Sequence, residues 1–266
     1  MWKRLMLVSL LAIFTNARAA EYTDVYYVPA ESGWGVFLVQ SDTYMFVAFF
    51  VYGSDGKPTW YTALLIDDGT GKYTGGLNAT TGTFFGAPWN PAQLSGAQVG
   101  MATFQPTDAY HATLTYTVNG VTVSKSLQRQ SLTAYEMTGR FSGSAAGAIT
   151  ACPDPTLNDP AFRARFVLDV TKPNDTSATL VFTFVDAAHD GIVCTLAGPL
   201  NHMGRLYQMA SGSISCTGPG QDNKQRPAAL NAFHTTGQGI EGHLTTSFGG
   251  GCNASYHFAA VFNVNN

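Results

Sequence analysis

Hydrophobic and polar residues alternate along most of this chain, in short runs that end at glycine, asparagine or aspartate. Between Tyr110 and Val118, apolar side chains take every second position, and His111 and three threonines take the others. A period of two is typical of a β-strand with one buried face. Asn119-Gly120 follows directly and favours a two-residue type I′ hairpin. The pattern therefore predicts antiparallel strands that pair with their neighbours in sequence.

The same criteria predict eight strands in each half of the chain. In the first half they are Tyr22 to Tyr27, Trp34 to Gln40, Tyr44 to Tyr52, Thr59 to Ile66, Lys72 to Leu77, Gln98 to Phe104, Tyr110 to Val118 and Val121 to Gln128. In the second half they are Met137 to Gly143, Arg163 to Lys172, Ser177 to Val185, Ile192 to Gly198, Leu206 to Cys216, Pro227 to Thr235, Gly239 to Phe248 and Ala254 to Val264. We therefore expect an all-β fold.

Eight antiparallel strands in a meander can close into a barrel, which removes both edges of the sheet. We predict two consecutive up-and-down meanders, each an eight-stranded barrel of the lipocalin or avidin type. An open sandwich is the alternative, because periodicity does not determine closure. The first pattern ends near Gln130 to Ala134. The predicted domains are an N-terminal barrel over 21–131 and a C-terminal barrel over 132–266.

The first twenty residues have the order of a secretory signal peptide. Lys3 and Arg4 precede an apolar run from Leu5 to Phe14, and Ala17-Arg18-Ala19 supplies a small-x-small cleavage pattern. About ten apolar residues span only ~15 Å as a helix, which is too short for a stable membrane anchor. We expect cleavage after Ala19 or Ala20 and a protein that is periplasmic or secreted.

Charge gives little indication of a polyanionic partner. Without Lys3, Arg4 and Arg18, the chain keeps 11 basic and 17 acidic residues, a formal charge of −6. This balance favours neither nucleic acid nor an anionic membrane surface.

All four cysteines lie in the second half, and an even number in an exported chain predicts two disulfides. The first and last strands of a closed barrel are neighbours, so Cys152 and Cys252 would join them. Cys194 and Cys216 would then join two adjacent strands. Of the three possible pairings we prefer this one. A four-thiolate metal site is the rival interpretation, but the wide spacings lack any C-x-x-C pair.

In a meander, every second connection falls at the same end of the barrel. One rim of the first barrel should then carry aromatic residues together with a few charged ones. A cavity for a sugar or an amphipathic small molecule needs such groups, although a tryptophan at a barrel end also serves as a structural plug. The candidate ligand-binding residues are Trp34, Trp60, Trp89, Glu31, Asp55, Lys57, Phe84 and Phe85.

The cysteine-bearing end of the second barrel forms a second candidate rim. It carries Asp154, His189 and Asp190. His189-Asp190, with Ser144 or Ser211 in reach, could supply a nucleophile, a base and an orienting group, although almost any chain of this size offers as much and a solvated turn is the alternative. The sequence contains no G-x-S-x-G, H-E-x-x-H or phosphate-binding loop motif. We therefore assign no catalytic residue, no metal ligand and no cofactor.

Several motifs of the first half resemble a β-rich module of exported proteobacterial proteins. They are Pro29-Ala30-Glu31-Ser32-Gly33-Trp34-Gly35, Asp55-Gly56-Lys57-Pro58-Thr59-Trp60-Tyr61, Tyr73-Thr74-Gly75-Gly76-Leu77, Tyr116-Thr117-Val118-Asn119-Gly120-Val121 and Ser126-Leu127-Gln128-Arg129-Gln130. The resemblance covers about residues 26–130 and implies a bacterial, extracytoplasmic setting. Val28 stands where the module usually has an aromatic residue. The module carries no established activity, so the resemblance assigns no functional residue.

These observations favour a non-catalytic binding protein for a glycan or a small amphipathic ligand, acting at the tryptophan-bearing rim. The alternatives are a secreted hydrolase that uses the His189 end and an extracellular interaction or inhibitor protein with a macromolecular partner. The predicted ligand site requires that Trp34, Trp60 and Trp89 surround an open cavity. The hydrolase hypothesis requires a serine or aspartate within hydrogen-bond reach of His189.

Overall fold

The computed structural model describes residues 21–41, 43–130, 136–236, 238–248 and 251–263. Its first half contains β1 (Asp24–Tyr27), β2 (Gly35–Gln40), β3 (Tyr44–Tyr52), β4 (Pro58–Asp67), β5 (Tyr73–Thr81), β6 (Ser95–Pro106), β7 (His111–Val118) and β8 (Val121–Arg129). Its second half contains β9 (Gly139–Thr150), β10 (Asp159–Asn174), β11 (Ser177–Phe184), β12 (Val193–Pro199), β13 (Asn201–Met203), β14 (Leu206–Thr217), β15 (Arg226–Thr235), β16 (Gly239–Phe248) and β17 (Cys252–Phe262).

The first eight strands form a closed antiparallel barrel in sequence order. Each strand pairs with the next, and β1 pairs with β8 through Tyr26 and Arg129 to complete the circle. Alternate residues point inward and are fully buried, among them Leu38, Val47 and Leu65. The predicted N-terminal barrel is therefore confirmed, and its interior is filled with side chains.

The second half forms another closed barrel. Its first strand β9 pairs with its last strand β17 over most of their length, from Phe141 opposite Phe262 to Thr150 opposite Asn253. On the other side β12 pairs with β14 and closes the wall. The short strand β13 folds back on β14 as a hairpin, with Met203 opposite Leu206. The second predicted barrel is thus also confirmed, with β13 as an addition that the alternation does not predict.

One predicted connection of the second barrel is mostly strand. The strands predicted at Met137 to Gly143 and Arg163 to Lys172 leave a long connection between them, but β9 continues to Thr150 and β10 already begins at Asp159. From Ser144 to Ala148 the extension consists of serine, alanine and glycine, which carry little β-signal. Its small residues allow β9 to approach β17 closely, because a Cβ atom on Gly147 would overlap the carbonyl oxygen of Ser255. Close backbone packing, not local propensity, makes this segment a strand.

Strand direction divides each barrel into two ends. In the first barrel, the rim end carries the connections after β1, β3, β5 and β7, and the opposite end carries the start of β1 and the end of β8. In the second barrel, the connections after β9, β11, β14 and β16 share one end. All four cysteines lie at or beside that end, as predicted.

Both predicted disulfides are present. Cys152 is joined to Cys252, and Cys194 to Cys216, with sequence separations of 100 and 22 residues. Cys194 and Cys216 lie directly opposite each other on β12 and β14. The predicted signal peptide and the predicted domain boundary at 131/132 lie outside the described residues. The helices of the described ranges are two short 3-10 turns, and none has the length and apolarity that would cross a bilayer.

Candidate functional site

Trp34 covers the rim end of the first barrel and is held there by an ion pair. Its indole Nε1 donates a hydrogen bond of 3.0 Å to Oε2 of Glu31. The Nζ atom of Lys125 donates to both oxygens of the same carboxylate at 2.8 Å and lies 5.8 Å above the Trp34 ring. Hydrogen bonding to Lys125 is the main reason why the pKa of Glu31 lies below its usual value. Trp34 also packs against the barrel core, so its ring closes the mouth.

Lys125 is a neighbour of Trp34 and Glu31 that is not among the residues predicted from the sequence. It occupies an inward position of β8, between Val123 and Leu127, where alternation calls for an apolar side chain. A charged residue on the inward face of a strand indicates a buried or half-buried partner. Here that partner is Glu31, 94 residues away in sequence.

A groove lies beside Trp34 on the outer wall of the barrel, across β1, β2 and β3. Its volume is about 370 Å³, within the usual range for small-ligand sites. Gly35 carries no side chain and lies opposite Phe50, so the Phe50 ring remains exposed at the groove. We call this feature the Trp34 groove. Its lining residues are Val25, Tyr27, Ser32, Gly33, Trp34, Gly35, Val36, Phe37, Phe50 and Gln130.

Trp60 and Trp89 lie near the same rim but not in this groove. Trp60 points outward from β4, is 58% exposed, and donates a 3.4 Å hydrogen bond to Oγ1 of Thr80. Trp89 lies on the connection between β5 and β6, next to Gly82. The three tryptophans therefore share one end of the barrel, as expected, but they do not surround a common open cavity. The alternation of β4 places Tyr61, not Trp60, on the core side.

The connection between β5 and β6 presents two further aromatic side chains to solvent. Phe84 and Phe85 have ring centroids 5.1 Å apart, and Phe85 is 96% exposed. Thr83 fixes the base of this loop, because its hydroxyl donates to the carbonyl oxygen of Asn90 and accepts from the Asn90 amide. The hydrogen bonds between Thr83 and Asn90 thus close the base of the loop, and the Phe84 and Phe85 rings beyond it are exposed to solvent beside the rim.

Asp55 and Lys57 form an ordinary turn. Oδ1 of Asp55 accepts the Lys57 amide at 3.0 Å, and the two charged groups are 3.8 Å apart with both side chains mostly in water. This geometry is that of an Asx-type turn. The two residues lie at the rim end but make no contact with the Trp34 groove.

The second candidate rim contains a histidine–aspartate pair. Nδ1 of His189 lies 2.6 Å from Oδ1 of Asp186, and the imidazole packs against Phe162 and Phe184. Burial opposes ionisation of Asp186, but hydrogen bonds from the Arg165 amide and from His189 outweigh it and lower its pKa. The sequence points to Asp190 as the partner, whereas Asp190 is exposed and the i−3 residue takes that role.

His189 has no hydrogen-bonded side-chain nucleophile among the residues that the structure describes. Within the described ranges, no serine, threonine or cysteine side chain hydrogen-bonds to His189. Ser144 lies on β9 opposite Arg165, and Ser211 lies on β14. Asp154 caps the 3-10 turn that follows it by accepting from Thr156. Of the groups that the hydrolase hypothesis requires, the described residues supply the orienting carboxylate of Asp186 but no serine hydrogen-bonded to His189.

A larger groove of about 860 Å³ runs over the outer wall of the second barrel. Its lining consists mainly of alanine, serine and threonine from β9 and from β14 to β17, and includes no aromatic side chain. Arg226 borders it and is paired with both carboxylate oxygens of Asp222. The groove offers hydroxyl groups but no flat surface for stacking.

No protein-family model matches this chain, and no curated protein or solved structure is significantly similar to it. Its candidate site is therefore defined by its own geometry. That geometry favours the Trp34 groove, where Tyr27, Trp34, Phe37 and Phe50 bring four aromatic side chains around one concavity.

Proposed function

We propose that this protein is an exported, non-catalytic binding protein that holds a glycan or a small amphipathic ligand in the Trp34 groove. The four aromatic side chains of the groove carry this proposal. Flat rings stack on the apolar faces of sugar rings and on alkyl chains. Ser32 and Gln130 supply polar groups at the same concavity, which would orient a hydroxyl-bearing ligand.

Export is supported by two independent features of the chain. The N-terminal residues have the pattern of a cleavable signal peptide. The two disulfides fit an oxidising extracellular or periplasmic compartment. The resemblance of residues 26–130 to a module of exported bacterial proteins agrees with both.

Tryptophan fluorescence tests the ligand proposal, because Trp34 forms one wall of the groove. The mature chain is titrated in one arm with a panel of neutral and acidic oligosaccharides, and in the other with a short-chain lysophospholipid below its micellar concentration. We expect a saturable change in one arm. Phe50→Ala should weaken that binding about tenfold, because it removes a stacking ring worth about 1.4 kcal/mol.

Leu157→Ala is the control, since it truncates an exposed apolar side chain on the second barrel. It should bind as the unmodified chain does. A flat titration in both arms, or equal affinities for Phe50→Ala and the unmodified chain, would contradict the proposal.

The His189–Asp186 pair favours a second candidate function, hydrolysis with water as the nucleophile. The imidazole would act as the general base and Asp186 would orient it. A panel of chromogenic esters and glycosides tests this candidate. Activity that His189→Asn abolishes would support it, and a silent panel would leave only the binding role.

A further inference from the structure

The outer wall of the first barrel is apolar over β2, β3 and β4. Six large side chains there point away from the core and are 40–52% exposed. They are in register, with Val39 opposite Phe46 and Phe46 opposite Leu64. We call this surface the apolar wall. It consists of Phe37, Val39, Tyr44, Phe46, Leu64 and Ile66.

The opposite side of the same barrel shows that an apolar exterior is not required by the fold. There the outward positions of β5 to β8 carry hydroxyl groups that pair with one another across strands. Examples are Thr74 with Thr103 at 3.1 Å and Thr115 with Ser124 at 3.2 Å. The outer surface of the barrel is therefore amphipathic: the β5–β8 side carries polar hydroxyl groups, and the β2–β4 side carries apolar side chains that could be buried against another apolar surface.

The apolar wall carries no charge. The outward positions of β2, β3 and β4 are glycine, proline, alanine, threonine, aliphatic and aromatic residues, without a single lysine, arginine, aspartate or glutamate. Its six large side chains present roughly 500 Å² of apolar surface, given the size of such side chains. A contiguous apolar patch of this size is comparable to the largest one on a typical monomer, and such patches are often functional.

We propose that the apolar wall is the interface of a homodimer, in which two copies pack wall against wall about a twofold axis. A twofold contact needs a surface that is complementary to itself. An uncharged apolar surface meets this condition electrostatically, because it brings no like charges together when it faces its own copy. Phe46 lies in register between Val39 and Leu64, in the middle of the wall, and would be central to the contact.

The buried area and the composition favour a second copy over an unrelated partner. Two such walls would together bury on the order of 1,000 Å² in a twofold contact, which is the area that a specific interface should reach. Homodimer interfaces are more apolar than transient ones, and no charge on the wall selects a charged partner. Phe37 belongs to both the wall and the Trp34 groove, whereas Tyr27, Trp34 and Phe50 of the groove lie outside the wall. The dimer rests on the wall alone and does not depend on the ligand proposal.

Sedimentation velocity of the mature chain over about 1 to 100 µM tests the dimer. We expect a species of twice the chain mass. Phe46→Lys places an unpaired charge at the centre of the contact and should raise the dissociation constant at least about a hundredfold. Thr115→Lys makes the same kind of change on the hydroxyl-bearing wall and should leave the dimer intact.

Circular dichroism establishes that each variant is folded, and Leu64→Lys replaces Phe46→Lys if the latter does not fold. A monomer at about 100 µM would overturn the proposal, as would a dimer that survives both lysine substitutions. A monomer that sediments with phosphatidylcholine vesicles and loses this property in Phe46→Lys would assign the wall to lipid and would also overturn it.

Discussion

Asp24 and Arg129 form an ion pair that is almost completely buried at the end of the first barrel opposite the rim, which we call the lower end. Arg129 Nη1 donates to Oδ2 of Asp24 at 3.2 Å, and the two side chains are 0% and 1% exposed. The same carboxylate oxygen accepts the backbone amide of Arg205, in the second barrel, at 2.7 Å. A single carboxylate thus satisfies groups from both domains.

Asp24→Asn should be strongly destabilising. The amide preserves the shape of the side chain but leaves the Arg129 charge buried without compensation, which typically costs 3–5 kcal/mol. We expect the free energy of unfolding to fall by about 3 kcal/mol or more in guanidinium titrations at neutral pH. Asp55→Asn is the matched control, because Asp55 is in an exposed pair, and it should change the value by less than about 0.5 kcal/mol. Similar losses in the two variants would disprove the role of burial.

Tyr110 links the barrels and should make stability depend on alkaline pH. Its hydroxyl donates to the carbonyl oxygen of Tyr207 at 3.0 Å and accepts the amide of Ala232 at 2.6 Å. Burial raises the pKa of Tyr110 to about 12, from 10.0. The unfolded chain therefore ionises first, and stability present below pH 10 is lost as the pH rises toward 12.

Tyr110→Phe isolates this contribution. At neutral pH the variant should lose about 1–3 kcal/mol, because the two backbone groups lose their partner. Between pH 10 and 12 its unfolding free energy should fall less steeply than that of the unmodified chain, by up to about 2–3 kcal/mol in total. Parallel pH profiles for the two proteins would rule out Tyr110 as the titrating group.

At the level of elements, the alternation of apolar and polar residues predicts nearly every strand. It fails where contacts between backbones, and not the side-chain pattern, determine whether a segment is a strand. The strand predicted from Tyr44 to Tyr52 has the same bounds in the structure. The end of β9 was missed because small residues pack there against β17. The sequence also does not predict the bulge in β15, where the register shifts between Asn231 and His234. Within it, Ala232 has a φ of 47° and donates its amide to the Tyr110 hydroxyl. Such features depend on partners distant in sequence.

The candidate site was only partly predictable for a related reason. In β3 nearly every residue is apolar, so the sequence does not reveal which side of the strand faces the core. Trp60 was predicted at the rim because a rim connection precedes it, and that connection fixes the end of the barrel but not the side of β4 on which the ring lies. The lack of alternation in β3 was itself the signal for the apolar wall. By contrast, Lys125 and Arg129 on the inward face of β8 could have been recognised as residues with buried partners.

The two disulfides should stabilise the second barrel unequally. In the chain-entropy model, a cross-link over 100 residues contributes about 4–5 kcal/mol and one over 22 residues about 3 kcal/mol. Replacing Cys152 and Cys252 with serine should therefore lower the unfolding free energy more than replacing Cys194 and Cys216. Guanidinium titration of the two double variants checks this order. A larger loss from the Cys194–Cys216 variant would show that closure of β9 on β17 is not the limiting constraint.

On the scale of the whole molecule, the two barrels meet at a joint to which each barrel contributes residues. The lower end of the first barrel supplies Asp24 and Tyr110, and the second supplies the β13–β14 hairpin and the β15 bulge. These pairs are separated by 97 to 181 residues in sequence. No local pattern predicts these pairs. They place the joint at the end of the first barrel that is opposite the rim covered by Trp34.

Gly204 is a position at which a substitution perturbs this joint directly. It turns the β13–β14 hairpin with a φ of 63°, and a Cβ atom there would overlap the Asp24 carboxylate. Gly204→Ala should therefore displace Asp24 from the Arg205 amide, and it should also weaken the Asp24–Arg129 pair, because both groups bind the same carboxylate oxygen. Hydrogen exchange measured by mass spectrometry should be faster in peptides that contain β1, β13 and the β15 bulge, and unchanged in β4 and β10.

Gly120→Ala is the matched control for that experiment. Gly120 has a φ of 83°, but it lies in the turn between β7 and β8 at the rim end, with open space around it. The alanine should cost about 1–2 kcal/mol of backbone strain without changing exchange at the joint. If Gly204→Ala instead leaves the joint peptides as protected as in the unmodified chain, the barrels are held together by contacts other than Asp24. If both variants raise exchange at the joint equally, the effect of Gly204→Ala is not specific to its contact with Asp24, and general backbone strain explains it.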